Sequence, residues 1–256
     1  MNKDHGPDPG RAHELWSLRE DVDVELKLAG GPVRLKSPWG EITIPQPSRP
    51  VREALHRMSL GPVSLENISG VARNEHPGQR RQLFRVLDRL QAVIIRSVKR
   101  ATGEPLLSVV PLTPQSVFHP APLSPDVPVR LSSFAELRTD GREYRLESPL
   151  AMHRVLLHRA EAVHLIGMLA GPCTPVDAMA ALTESEPAAM AALEYLIASG
   201  IVTQVKAPPD AEDPPDPTTP IFDEESELAL AGWSPADLMF HASSTLGCHD
   251  HYCGVT

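Results

Sequence analysis

Apolar and polar positions along the chain repeat one order of elements twice. Leu35-Lys36-Ser37-Pro38-Trp39-Gly40 precedes a short β-like run, Glu41-Ile42-Thr43-Ile44, and then a helix-like stretch closing at Leu60-Gly61-Pro62. Further on, Leu146-Glu147-Ser148-Pro149-Leu150-Ala151 precedes Arg154-Val155-Leu156-Leu157 and a helix-like stretch closing at Ala170-Gly171-Pro172. Gly followed by Pro ends a helix because Gly accepts a left-handed cap and Pro forbids a further turn. An offset of roughly 110 residues is too long for a solenoid and suits two tandem small domains.

Each copy carries two more predicted helices. In the first, Ser64 to Ile68 is short, and Gln79 to Val93 places Leu83, Val86, Leu87 and Leu90 on one apolar face. In the second, Thr174 caps a helix that has Pro175 at its first position. Glu186 to Ser199 then sets Met190, Leu193, Leu196 and Ile197 at helical spacing, closed by Gly200. β-like runs follow at Ala92 to Val98, Leu106 to Val110 and Ile201 to Val205, with Thr102-Gly103-Glu104-Pro105 as the turn of a two-stranded wing. The predicted class is α+β: two tandem winged-helix-like units and a C-terminal helical tail. The division expected is an N-terminal extension (1–19), unit one (20–112), a Pro-rich linker (113–128), unit two (129–206), an acidic Pro-rich linker (207–224) and a tail (225–256). Without the segment after residue 206, both units are expected to keep their own cores.

Composition narrows the function classes. Aromatics are 4% of the 256 residues against 41% apolar, so the cores must be aliphatic. A net charge of −9 argues against duplex DNA, whose binders carry surplus Lys and Arg. No stretch approaches the roughly 18 apolar residues of a membrane span, and the polar start Met1 to Gly10 lacks a secretory signal, so the expected location is cytoplasmic. Three cysteines, Cys173, Cys248 and Cys253, do not make a disulfide framework.

Candidate chemistry is sparse. Cys248, His249, His251 and Cys253 have zinc-ligand side chains but lack the paired spacing of structural sites, so no metal is expected. His153, His158 and His164 show no Ser-His-Asp arrangement in sequence and read as core-edge or surface residues. Arg80, Arg81, Arg85, Arg89, Arg96, Lys99 and Arg100 form a basic run over the third helix and wing of unit one. That run reads as a solvated face, as a docking face for an acidic peptide or partner, or as a groove-reading DNA surface.

The C-terminal stretch carries a family resemblance. Trp233-Ser234-Pro235-Ala236-Asp237-Leu238-Met239-Phe240-His241 and Gly247-Cys248-His249-Asp250 are similar to SagB-type dehydrogenases, which oxidise azolines to azoles in ribosomally made peptides. Glu147-Ser148-Pro149-Leu150 and His153-Arg154-Val155 resemble the same family's region ahead of its catalytic domain, and the likeness runs from about residue 20 onward. The resemblance implies tandem winged-helix-like units ahead of a nitroreductase-like domain that binds FMN. The sequence departs from that pattern where Thr245 and Cys248 stand in place of basic side chains suited to an FMN phosphate, and it ends before a flavin domain.

The expectation is therefore a non-catalytic peptide-recognition or scaffold subunit for thiazole/oxazole-containing peptides, with no cofactor of its own. FMN is implied for the family or for a partner. One alternative is a share in an azoline dehydrogenase whose flavin domain lies elsewhere, and another is a DNA-binding regulator. A precursor leader peptide would add a strand to an exposed sheet edge beside the third helix. In unit one this involves Leu26, Leu28, Val33 and Leu35 beside Leu83, Val86, Leu87 and Leu90; in unit two it involves Val129 to Leu131 or Tyr144 to Leu146. Trp233, Leu238, Met239 and Phe240 are the candidates for docking a nitroreductase-like partner or a second copy.

Overall fold

The computed structural model describes residues 13–26, 31–68, 77–141, 143–180, 186–205 and 232–245, with Phe222, Glu224 and Leu230. The strands are β1 (Glu14–Leu18), β2 (Asp23–Leu26), β3 (Val33–Ser37), β4 (Gly40–Ile44), β5 (Ile94–Lys99), β6 (Pro105–Pro111), β7 (Val129–Leu131), β8 (Glu136–Asp140), β9 (Glu143–Glu147), β10 (His153–Leu157) and β11 (Val202–Gln204). The helices are α1 (Arg49–Leu60), α2 (Pro77–Arg89), α3 (Ala160–Met168), α4 (Pro175–Ala180), α5 (Glu186–Ala198) and α6 (Pro235–Thr245). The fold is α+β, as the alternation of periods predicts.

Local chemistry explains several boundaries. Pro at the start of α1 costs no hydrogen bond, and Val51, Ala54, Leu55 and Met58 then fall on one buried stripe. Gly61 ends this helix at φ 150°, which favours Gly. Gly171 is not at positive φ; α3 ends instead through a turn in which Ala170 N–H donates to the Gly167 carbonyl at 3.3 Å. Thr174 caps α4 as expected: its Oγ accepts from Asp177 N–H at 3.2 Å.

The strands form a six-stranded antiparallel sheet in the order β1-β5-β6-β10-β9-β8, a three-stranded sheet β2-β3-β4 and a pair β11-β7. The hairpin expected as a wing is β5–β6, turning at Gly103 (φ 91°). Both its outer edges are taken, by β1 and by β10. One sheet thus runs across the two repeats, with Leu157 opposite Leu107 and His153 opposite Pro111. β1 belongs to this sheet although it lies within the stretch expected as an extension.

Register explains where the cores sit. Trp16 stands opposite Arg96, Arg96 opposite Val109, Val109 opposite Val155, Val155 opposite Leu146, and Leu146 opposite Leu137. Directly paired residues share a face, so this row marks one side of the sheet from end to end. At one end Trp16, Leu18 and Ile94 join Leu55 of α1 and Leu83 and Leu87 of α2 in a core. At the other, Val109, Val155 and Leu146 join Leu165 of α3 and Leu193 and Leu196 of α5 in a second core. Burying each such side chain contributes about 2 kcal/mol. The seam between the two helix sets falls over Trp16 and Arg96.

Segment 113–128 has no regular element, but it is docked rather than loose. Phe118 is buried, its N–H donates to Gln91 Oε1 at 2.6 Å, and Ser116 Oγ donates to the Met152 carbonyl at 2.7 Å. Beyond unit two, Phe222 is fully buried beneath the Arg130 guanidinium, 4.0 Å from its ring centroid. Glu224 is buried too, accepting from Ser132 Oγ at 2.7 Å and from Ser133 N–H at 3.2 Å. Unit two therefore draws part of its packing from beyond residue 206.

Candidate functional site

The seam opens as a cleft of about 1250 Å³ between α2 and α5, floored by β1 and β5 and walled at one end by the docked segment 118–122. Its floor is built around one cation. Arg96 lies over the Trp16 ring with its guanidinium carbon 3.4 Å from the centroid. It makes an ion pair with Glu14 at 3.0 Å and donates to Tyr195 Oη at 3.3 Å. Phe118 packs edge-on against Tyr195 at 5.0 Å and against His153 at 5.5 Å. An aliphatic residue at position 96 would need helices over it; a guanidinium held by π faces and a carboxylate can floor an open cleft.

Burial pushes the Tyr195 phenol well above its ordinary pKa, so it stays protonated. Burial also pushes His153 down to about 4, opposed in part by a backbone hydrogen bond at Ser199. Both side chains are neutral packing and hydrogen-bonding groups here. From α2, Arg80, Arg81, Phe84 and Arg85 line the cleft; from α5, Pro187, Met190, Ala191 and Glu194 face them.

The structure sorts the residues singled out from sequence. Leu83, Val86, Leu87 and Leu90 are buried in the unit-one core, so the exposed cleft-lining side of α2 is the one carrying its arginines. Val33 and Leu35 lie in β3, the middle strand of its sheet, and are buried; the outer strands are β2 and β4. Leu26 lies on β2 and packs against the same core, and Leu28 lies outside the described residues. In unit two, β7 pairs with β11, and β9 is enclosed by β8 and β10, which makes β8 the outer strand. Of the basic run, Arg80, Arg81, Arg85 and Arg96 line the cleft, whereas Arg100 pairs with Glu161 at 3.2 Å.

The tail forms α6, capped by Ser234 through Asp237 N–H at 3.2 Å. Leu238 is buried and Met239 half-buried, while Trp233 and Phe240 are 43% and 76% exposed. Cys248, His249, His251 and Cys253 lie outside the described residues, among which no metal-ligand cluster forms. No helix among the described residues is long and apolar enough to cross a membrane.

One grouping was invisible in sequence. On the opposite sheet face Ser108 Oγ lies 2.7 Å from Ser97 Oγ and 2.8 Å from His158 Nε2, whose Nδ1 is 3.9 Å from Glu143. Strand register alone brings these together, across 50 residues of chain. Ser108 is buried in a central strand, where the chain of hydrogen bonds ties neighbouring strands together.

Residues 129–250 match the family model of the cyanobactin oxidase ThcOx. The match spans β7 through α6; the SagB-type resemblance read from sequence began much earlier, near residue 20. No curated protein matches the chain.

Proposed function

We propose that this chain recognises a precursor peptide for an oxidase that modifies ribosomally made peptides, and that the cleft between α2 and α5 is the recognition site. The cleft's size carries the reading. At about 1250 Å³ it exceeds the roughly 300–1,000 Å³ of small-molecule sites. The ThcOx match supports the biosynthetic setting. The role is binding rather than chemistry: the cleft's best-placed ionisable groups, Arg96, Glu14 and Tyr195, are tied to one another.

A second reading, participation in a flavin enzyme, draws on α6. Trp233 and Phe240 are exposed on a helix inside the oxidase match, and an oxidase domain on a partner chain would cover them. On this reading FMN would sit on the partner.

Titrating the full chain with precursor peptides encoded beside its gene tests the recognition role. Binding should be lost in Met190→Arg, which puts a long charged side chain into the cleft while leaving both cores intact. Unchanged affinity in that variant would contradict the proposal.

A further inference from the structure

The two walls of the cleft differ in chemistry. Arg81 and Arg85 lie one helical turn apart on α2, so they project from the same side. Both are exposed, and neither has an ion-pair or hydrogen-bond partner among the described residues. The acidic groups sharing the cleft are already engaged. Glu14 is held by Arg96 at 3.0 Å, Asp88 accepts from Gln91 Nε2 at 2.6 Å, and Glu194 also has a partner. On a chain of net charge −9, two uncommitted arginines at the lip of this cleft are a local reversal of sign. Opposite them, Pro187, Met190 and Ala191 of α5 offer an apolar surface, and Phe84, half-buried on the same helix as the arginines, adds to it.

Resting on the cleft reading above, we infer that the occupant is an acidic peptide segment. Two carboxylates about one helical turn apart meet Arg81 and Arg85, and an apolar side chain seats against Phe84 and Met190. Guanidinium–carboxylate pairs supply orientation and a faster encounter, and the apolar anchor supplies most of the affinity. A nucleic acid would use the same arginines through its phosphates. Tight binding of a phosphate backbone draws on a surplus of cations whose counterion release drives it, and a chain of net charge −9 lacks that surplus.

The test uses the full chain and two fluorescein-labelled synthetic peptides of equal length. One carries two Glu a helical turn apart with Leu on the same side; the other carries Lys in place of both Glu. Anisotropy should show the acidic probe bound and the Lys probe not. The double variant Arg81→Glu with Arg85→Glu should weaken the acidic probe by about tenfold or more and gain affinity for the Lys probe. Both sites are exposed, so the melting temperature should not move. Equal binding of the two probes, or an acidic probe indifferent to the double reversal, overturns the inference. If Met190→Arg still blocks binding in that case, the cleft remains a peptide site and the charge assignment alone falls. If Met190→Arg is also without effect, the proposed function falls with it. Displacement of the acidic probe by duplex DNA at moderate salt overturns the inference in favour of nucleic acid.

Discussion

Arg96 ties the β1 end of the sheet to α5 across the seam. Its contacts reach Glu14 and Trp16 on β1 and Tyr195 on α5. Truncating it leaves a largely buried carboxylate without its partner. Arg96→Ala should therefore cost about 3 kcal/mol in urea unfolding, and adding Glu14→Gln should recover part of that loss. A cost below about 1 kcal/mol would mean that the pair behaves as an ordinary surface bridge. His153 gives a pH signature at the same scale. Its folded pKa near 4 lies below the ordinary 6.5, so the unfolded chain binds its proton first as pH falls. Stability should be level above pH 6.5 and fall between 6.5 and 4, by up to about 3 kcal/mol. His158, also depressed by burial, adds to the same slope. His153→Leu should flatten much of this decline in melting temperature against pH; an unchanged slope would assign the acid sensitivity elsewhere.

Individual elements were the most legible in sequence. The stripe Leu83, Val86, Leu87, Leu90 marks α2, the Thr174-Pro175 cap marks α4, and Gly200 closes the stretch after α5, because each signal is local. Roles that depend on distant partners were not legible. The arginines of α2 became a cleft wall only because α5 faces them. Phe222 and Glu224 sit in a stretch rich in Pro and acid, where composition suggests solvation, yet their partners Arg130, Ser132 and Ser133 lie about ninety residues earlier. This sets a prediction for the end of unit two. A chain cut after residue 228 should melt near the full-length protein, whereas one cut after residue 206 should lose about 3–5 kcal/mol, the cost of an emptied aromatic site and a stranded guanidinium. Equal melting of the two truncations would show that the Phe222–Glu224 anchor contributes little.

At the scale of the whole molecule, the repeat was visible but its consequence was not. Sequence similarity between the halves says nothing about which strand edges meet, and here β6 meets β10 through five paired positions. Residues 1–112 alone would expose the β6 edge, and 113–256 alone would expose β10. Unpaired edges invite association, so each half expressed by itself should aggregate or self-associate, and co-expression should restore a cooperative melt. Two monomeric, cooperatively melting halves would contradict this. The joined sheet also explains the cleft: two helix sets share one sheet face and leave a seam between them, with Arg96 as its floor.

The most direct measurement of the recognition site is photo-crosslinking of the full chain to a co-encoded precursor peptide carrying benzoylphenylalanine in place of an apolar residue. Adducts should form on α2 and α5, at Phe84, Met190 and their neighbours, and Met190→Arg should suppress them. Adducts confined to the outer strands β2, β4 or β8, with α2 and α5 unlabelled, would place recognition at a sheet edge and contradict the cleft reading.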